Sequence, residues 1–255
     1  MKENENLARG NEGTDDPVRE LAALMKRSKK TIVLTGAGMD TESNIPDFRS
    51  KDGWWRRMDP RVVASIDTFY ENYDLFWEFY KMRYELLQEC EPHRGHFILA
   101  EWEEKGLIHG IATQNVSRLH VLAGSKKVYE LHGNIRTFRC NHCQQAADVE
   151  EYLKKKNCRY CGRKALRPNV TLFGESLPAD AWENSFREIR RSDLLIVIGT
   201  SLEVYPVNAL PKMAGGKRAY INAEDTGKGY DFDIRITGKA KEVLSRLDEI
   251  LKEMK

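Results

Sequence analysis

The chain has 255 residues, of which 41 are basic and 39 acidic, so its formal net charge is only +2. This balance argues against a nucleic-acid-binding protein that depends on phosphate contacts. The length allows one large domain or one domain with an inserted module. Five cysteines, an odd number, fit reduced thiols better than disulfides. We find no signal peptide and no membrane span, and expect a cytoplasmic protein without specific nucleic-acid or membrane partners.

The first predicted elements are a helix and a buried strand. Residues 1–15 are polar and charged, which is typical of a disordered tail. A helix is predicted from residue 17, because Asp16 is a favoured N-cap residue and Pro17 suits the first turn. Residues 31–34, Thr-Ile-Val-Leu, are β-branched or apolar and therefore predict a buried strand.

A glycine-rich segment follows this strand. Residues 35–49 read Thr-Gly-Ala-Gly-Met-Asp-Thr-Glu-Ser-Asn-Ile-Pro-Asp-Phe-Arg. Gly36 and Gly38 let the backbone turn tightly and approach a ligand, so a strand followed by this turn suits a pyrophosphate. A third glycine of the dinucleotide pattern would fall at Thr41. The glycines alone therefore fit an ordinary tight turn equally well.

An aromatic-rich region then extends to about residue 90. Apolar residues over 73–87 recur at helical spacing, and we expect most of the aromatic rings to fill a core. Tyr80 and Arg83 are three residues apart and so share one face of this helix. A phenol beside a guanidinium can hold a carboxylate, although an ordinary surface arginine fits the sequence comparably well.

Polar residues follow four further predicted strands, at 107–113, 127–131, 194–198 and 218–221. Ligands of open α/β sheets bind at the carboxyl ends of strands, so these positions are candidates for binding. They are Gln114, Asn115, Val116, Ser117, His132, Gly199, Thr200, Ser201, Asn222, Ala223 and Glu224. Neutral imidazole near pH 7 can accept a proton from a sugar hydroxyl, although a single histidine after a strand is more often structural.

Four of the five cysteines form two C-x-x-C pairs with 14 residues between them. Two such pairs can complete a closed tetrahedral site, which predicts a structural zinc ion held by Cys140, Cys143, Cys158 and Cys161. A redox pair is the alternative. Residues 133–168 contain nine basic and three acidic side chains, which fit a solvated face and could also attract an acidic partner.

Taken together, these motifs resemble the sirtuins, NAD-dependent protein-lysine deacylases, over residues 17–255. The sirtuin loop reads Gly-Ala-Gly-x-Ser-x-x-Ser-Gly-Ile-Pro-Asp-Phe-Arg, and a second motif reads Thr-Gln-Asn-Ile-Asp-x-Leu-His. Asp40 replaces the serine of the first motif, Asn44 its glycine, and Ser117 the aspartate of the second. Our hypothesis is that Asp40 and Ser117 face each other and rebuild the nicotinamide amide site; two independent changes that weaken it are the alternative.

The resemblance implies roles for individual residues. His132 would be the catalytic base, and Asn115 would position the ribose and the attacking water. NAD would contact the residues Gly36, Ala37, Gly38, Asp40, Glu42, Asp47, Phe48, Arg49, Gln114, Asn115, Val116, Ser117, Gly199, Thr200, Ser201, Asn222, Ala223, Glu224 and Ala240. The acyl-lysine substrate would contact Tyr80, Arg83, Val170, Phe173, Gly174, Glu203 and Val204. In the branch of the family that removes succinyl and malonyl groups, a Tyr-x-x-Arg motif holds the acyl carboxylate.

The implied reaction transfers the acyl group of a protein or peptide lysine to ADP-ribose and releases nicotinamide. An ADP-ribosyltransferase or NAD glycohydrolase, and a non-catalytic NAD or ADP-ribose sensor, are the alternatives.

The order of strands and helices predicts a doubly wound parallel α/β sheet with a smaller second lobe. We assign residues 16–50, 106–133 and 168–255 to the NAD-binding domain, 51–105 to a helical part of the small lobe, and 134–167 to a zinc module.

Overall fold

A computed structural model describes residues 16–45, 59–226 and 229–254. The predicted tail and the predicted roles of Asp47, Phe48 and Arg49 lie outside the described residues. In chain order the helices and strands are α1 (Pro17–Arg27), β1 (Thr31–Thr35), α2 (Pro60–Val63), α3 (Ile66–Glu71), α4 (Tyr73–Gln88), α5 (Arg94–Glu104), β2 (Ile111–Thr113), α6 (Leu119–Leu122), β3 (Val128–Glu130), β4 (Gly133–Cys140), β5 (Ala146–Ala147), α7 (Val149–Leu153), β6 (Leu166–Val170), α8 (Ala179–Arg190), β7 (Leu194–Ile198), β8 (Lys217–Asn222), β9 (Ile234–Thr237) and α9 (Ala240–Glu253).

The larger lobe is built on a parallel sheet with the strand order β3-β2-β1-β7-β8-β9. Strands β1 and β7 lie at its centre, and every residue of both is buried, as expected for strands covered on two faces. Helices α1, α5 and α9 cover one face and share a single hydrophobic core. Helix α8 and a 3₁₀ segment, Val207–Met213, pack on the other face. This is the predicted doubly wound fold.

The smaller lobe combines helices α2–α4 with the antiparallel sheet β5-β4-β6. Its core is aromatic and includes Phe76, Phe79 and Tyr80 of α4, each at most 3% exposed. These residues lie on one face of a sixteen-residue helix, which confirms the helical spacing predicted for residues 73–87. A short parallel bridge between Ser65 and Phe173 joins the helical part to the loop after β6.

Two predicted boundaries change in the structure. The strand predicted at 107–113 is only three residues long, because His109 Nδ1 accepts the amide of Thr31 and Gly110 has a positive φ of 156°. Helix α5 packs against α9 in the core of the large lobe, although we assigned residues up to 105 to the small lobe. The helical part of the small lobe therefore ends before α5.

Asn44, which replaces the glycine of the sirtuin loop, has a left-handed backbone with φ 60°. Asparagine tolerates this conformation better than most residues, so the substitution keeps the turn. Among the described residues, no helix is both long enough and apolar enough to cross a membrane.

Candidate active site

The candidate site lies where the carboxyl ends of β1, β2, β3 and β7 meet. Thr35, the last residue of β1, is in register with Thr113 of β2 on one side and Ile198 of β7 on the other. Because the connections from β1 and β7 leave the sheet toward opposite faces, this is the topological switch point at which such sheets bind dinucleotides. The donors and acceptors at these ends, and the exposed end of β8, fit NAD.

The glycines of this region are required by close backbone contact. Gly38 N–H donates to Gly199 O at 2.7 Å, and Gly36 N–H donates to Ile198 O at 3.0 Å. A Cβ at Gly36 would lie 2.6 Å from Thr200 Cβ, and one at Gly199 would lie 2.4 Å from Met39 N. The loops after β1 and β7 are therefore locked together before any ligand binds.

His132 is held in one tautomer. Its Nδ1–H donates to the carbonyl of Gln114 at 3.0 Å, so Nε2 carries the lone pair. Burial lowers the pKa of His132 below its ordinary value, which the hydrogen bond to Gln114 only partly offsets. The imidazole is thus neutral near pH 7 with an accepting Nε2, the form that a general base requires.

Gln114 and Asn115 tie the neighbouring strand ends together. Gln114 Nε2 donates to Thr200 Oγ1 at 3.0 Å, and Asn115 Nδ2 donates to Gly36 O at 2.9 Å. The amide side chains are therefore fixed by the loops after β7 and β1, and Asn115 keeps its side-chain oxygen for a further contact. The structure brings Gly36, Gln114, Asn115 and Thr200 together as predicted.

Asp40 and Ser117 are in direct contact. Ser117 Oγ donates to Asp40 Oδ2 at 2.7 Å, and both residues are 3% exposed. The second carboxylate oxygen of Asp40 lies 3.1 Å from Nε2 of His96, which is fully buried. Because His96 Nδ1 accepts the amide of His93, the imidazole proton lies on Nε2 and is donated to Asp40. The predicted contact between the exchanged residues is present, and His96 binds the other oxygen of the same carboxylate.

Three buried histidines, His93, His96 and His120, lie around this carboxylate. His93 Nε2–H donates to Met39 O at 2.7 Å, and His120 Nε2 is 3.0 Å from Thr35 Oγ1. Burial lowers the pKa of His93 to about 4 and that of His120 to about 3. The sequence did not place His96 at the site, because its partner Asp40 is 56 residues away along the chain.

The other residues predicted to contact the cofactor differ in whether they are exposed at the strand ends. Asn222 Nδ2 donates to Glu224 O and to Thr226 Oγ1, which shapes the end of β8, and Ala223 and Glu224 are exposed there. Glu42, in contrast, already accepts the amide of Lys241 at 2.7 Å. Ala240 is 5% exposed and packs in the core, so its side chain does not face the strand ends. Ala37, Val116 and Ser201 lie within the loops at these ends and are partly exposed.

Of the two residues on the predicted acyl-binding face of α4, Tyr80 is 2% exposed and Arg83 is partly exposed. Burial raises the pKa of Tyr80 to about 12, and the charge of Arg83 opposes this shift. Burial lowers the pKa of Arg83, while the charges of Tyr80 and Asp40 raise it.

The predicted peptide-binding residues lie at the end of β6 and in the loops that follow β6 and β7. The backbone of Phe173 is already paired, since its amide donates to Ala64 O and its carbonyl accepts the amide of Ile66. Its side chain is 43% exposed. Gly174 has φ 91°, and a Cβ there would lie 2.9 Å from Ile66 Cγ2. Val170 is buried, while Glu203 and Val204 are exposed in the loop after β7.

The four cysteines of the two C-x-x-C pairs converge. Their Sγ atoms lie within 4.8 Å of one another, and two of the separations, Cys140–Cys161 and Cys143–Cys158, are 3.6 Å. Thiolates at the vertices of a tetrahedron around zinc would be separated by about 3.8 Å, so this donor set fits the ion. Among the described residues it is the one such group of candidate metal ligands.

Comparison with known proteins agrees with this geometry. Residues 36–206 match the model of the Sir2 family. The chain is 40% identical over 251 residues to NAD-dependent protein deacylase 2 of Archaeoglobus fulgidus, which covers 94% of this chain and 98% of that protein. It is 43% identical over 239 residues to NAD-dependent protein deacetylase 1 of Geobacillus kaustophilus, covering 92% and 98%.

Solved structures are similar over nearly the whole chain. A Sir2 enzyme that is 40% identical superposes with a TM-score of 0.86 and covers 95% of this chain and 100% of that one. Sir2Tm bound to a propionylated peptide is 37% identical, with a TM-score of 0.81 and coverage of 91% and 97%.

Fold and site thus define an NAD-dependent enzyme with a doubly wound sheet and a four-cysteine lobe. The chain belongs to the Sir2 family.

Proposed function

We infer that the chain is an NAD-dependent protein deacylase and propose that it transfers an acyl group from lysine to ADP-ribose, releasing nicotinamide and free lysine. The single observation that carries this proposal is the fixed tautomer of His132, whose Nδ1–H is committed to Gln114 O at 3.0 Å. A base with an accepting Nε2, held beside a dinucleotide switch point, suits proton removal from a ribose hydroxyl.

When bound, NAD would supply the ribose carbon to which the acyl oxygen is transferred in place of nicotinamide. The chain positions the reactants: Asn115, held by its contact with Gly36 O, would orient the ribose and the attacking water. His132 would take the proton from the ribose hydroxyl at Nε2. The loops joined by Gly38 and Gly199 would bind the phosphates through backbone amides, because small residues keep that surface open.

We further propose that Asp40 and Ser117 together bind the nicotinamide amide. The family arrangement of a hydroxyl and a carboxylate is kept with the two positions exchanged, and the 2.7 Å contact supports this. His96 fixes one oxygen of Asp40 and Ser117 fixes the other, so the carboxylate has one orientation. Its remaining lone pairs can accept the amide N–H groups of the base.

For the acyl group, we propose that succinyl- and malonyl-lysine are accepted beside acetyl-lysine. Tyr80 and Arg83 share one face of α4, and the phenol stays protonated at any ordinary pH because burial raises its pKa to about 12. A phenol donor and a guanidinium match a carboxylate at the end of a short acyl chain.

We propose a structural role for zinc, with Cys140, Cys143, Cys158 and Cys161 as its ligands. Four protein thiolates leave no position for water or substrate, so the ion would hold the small lobe together and take no part in the reaction.

One experiment tests the proposal. The protein is incubated with NAD and either an acetyl-lysine or a succinyl-lysine peptide, and the products are weighed by mass spectrometry. We expect free-lysine peptide and O-acyl-ADP-ribose, whose mass identifies the acyl group. ADP-ribose alone would indicate a glycohydrolase, a protein adduct would indicate an ADP-ribosyltransferase, and an unchanged amount of NAD would indicate a sensor; each of these contradicts the deacylase.

A further inference from the structure

An ion pair between a buried arginine and a partly exposed glutamate joins the two ends of the proposed peptide-binding loop. Arg167 of β6 is 0% exposed, and its two terminal nitrogens lie 2.6 Å and 2.9 Å from the two carboxylate oxygens of Glu175. The arrangement is the bidentate geometry that a guanidinium forms with a carboxylate. Burial would raise the pKa of Glu175, but the hydrogen bonds from Arg167 and Leu172 hold it below its ordinary value.

The pair closes a short loop on itself. Glu175 Oε2 also accepts the amide of Leu172 at 2.8 Å, and Arg167 Nη2 donates to Val170 O at 2.6 Å. Residues 170–175 are therefore fastened at both ends by one guanidinium–carboxylate unit. Phe173 and Gly174, which we propose to contact the acyl-peptide, lie at the turn between these ends.

The same arginine reaches the four-cysteine cluster. Arg167 Nη1 donates to Asn141 Oδ1 at 3.2 Å, and Asn141 directly follows the candidate ligand Cys140. The guanidinium carbon also lies 5.6 Å from the centre of the Phe69 ring on α3. One side chain thus contacts the cysteine module, the helical part of the lobe and the loop. Its Nε is buried without a partner among the described residues, so the position is not optimised for stability alone.

We propose that the Arg167–Glu175 pair is a positioning device that fixes loop 170–175 for the acyl-peptide, and that Asn141 connects this loop to the cysteine cluster. The inference rests on the proposed function, because that function assigns the peptide to this loop. Replacing a buried ion pair by neutral groups of similar size often leaves stability unchanged, whereas leaving one charge unpaired is costly. Stability and positioning can therefore be separated.

The experiment compares Glu175→Gln, Arg167→Met, the double variant and Asn141→Ala with the unaltered protein. Lys164→Gln is the control, since it breaks an exposed pair with Asp74 in the same lobe without touching the loop. Melting temperature, kcat, the KM for peptide and for NAD, and hydrogen exchange of amides 171–175 are measured. Because a lost charge-assisted bidentate contact corresponds to about a tenfold change or more, we expect the peptide KM of both single variants to rise by at least that factor.

The double variant distinguishes a role of the ion pair in stability from a role in positioning the loop. We expect its melting temperature to return toward the unaltered value while its peptide KM stays raised, with the NAD KM and kcat within about twofold. Faster exchange of amides 171–175 should accompany the raised KM, and Asn141→Ala should show a smaller change of the same kind. The inference is overturned if the double variant regains both stability and peptide KM, or if its loop exchanges like that of Lys164→Gln.

Failure of the proposed function would look different. If the unaltered protein turns over no acyl-peptide, the deacylase proposal fails, and the exchange of amides 171–175 still shows whether the pair orders the loop. If the unaltered protein is active and the double variant matches it in both measurements, the deacylase proposal stands and the positioning role fails.

Discussion

The two lobes hold their functional residues in place by different means. In the large lobe, Gln114, His132 and Gly199 follow parallel strands, and backbone pairing of β1, β2, β3 and β7 brings them together. In the small lobe, the loop after β6 depends on a few side chains: four cysteines and the Arg167–Glu175 pair. Sheet topology is insensitive to single substitutions, whereas cross-links between side chains are not. Substitutions in the large lobe should therefore affect chemistry, and those in the small lobe should affect order and peptide affinity.

The largest effect on the chemical step is expected for His132→Ala. Because general-base catalysis contributes about 10²–10⁴-fold, turnover of acyl-peptide should fall by that range. Melting temperature and NAD affinity should change little, since the strand ends are held by other contacts. Steady-state kinetics with an acyl-lysine peptide and calorimetric NAD binding check both parts. Turnover equal to that of the unaltered protein would refute the catalytic role.

Loss of the cysteine cluster should affect the other lobe. Cys158→Ala, or removal of the metal with a chelator, should abolish peptide turnover, because about 10 kcal/mol or more of metal binding energy supports folding of such modules. ADP-ribose binding by the large lobe should persist, and near-ultraviolet circular dichroism should report loss of aromatic packing. Cys90→Ala is the matched control, as Cys90 is buried outside the cluster. Equal effects of the two variants would contradict a structural metal.

The exchanged residues of the nicotinamide site can be tested by exchanging them back. Asp40→Ser alone leaves two hydroxyls and Ser117→Asp alone leaves two carboxylates, so each should weaken nicotinamide exchange by about tenfold or more. The double variant, which has the family arrangement, should recover most of this loss, giving a coupling between neighbouring sites. Nicotinamide exchange with labelled base measures it. Additive losses in the double variant would favour two independent changes.

Arg83→Met should alter the choice of acyl group. We expect succinyl-lysine turnover to fall by about tenfold or more relative to acetyl-lysine turnover, because a charged hydrogen bond to the acyl carboxylate contributes roughly 1.5–3 kcal/mol. Tyr80→Phe should reduce the same ratio less. The ratio of kcat/KM for the two peptides is the measurement. An unchanged ratio in Arg83→Met would remove the acidic-acyl proposal and leave the deacetylase intact.

The smallest effect concerns acid stability of the large lobe. The pKa values of His93 and His120 are lowered to about 4 and about 3, so unfolding takes up protons at both rings once the pH is below their unfolded pKa near 6.5. The stability they contribute is fully present above pH 6.5 and is lost as the pH falls through about 4 for His93 and about 3 for His120. Melting temperature should decrease over this range. In His120→Asn, unfolding should take up about one proton fewer over this range, so melting temperature should fall less steeply with decreasing pH. An identical slope in the variant and the unaltered protein would contradict the assignment.

Features that depend on a local stretch of sequence could be predicted, whereas side-chain contacts between distant segments mostly could not. The strands and the residues after β2 and β7 were predictable because hydrophobic runs and the residues after them are local patterns. The contact between Asp40 and Ser117 was predicted because the two substitutions compensate each other. The partnership of His96 with Asp40 was not, since it joins distant segments through a packed helix. The role of Arg167 could not be predicted either, because the sequence does not distinguish a buried arginine from an exposed one until its carboxylate partner is located.

Glu42 and Lys241 give the molecule a less obvious property. The carboxylate of the glycine-rich loop accepts the first free amide of the terminal helix α9, so the last element of the chain is anchored to the loop that follows the first strand. A fusion partner or surface attachment that pulls on the carboxyl terminus would transmit its load to that loop.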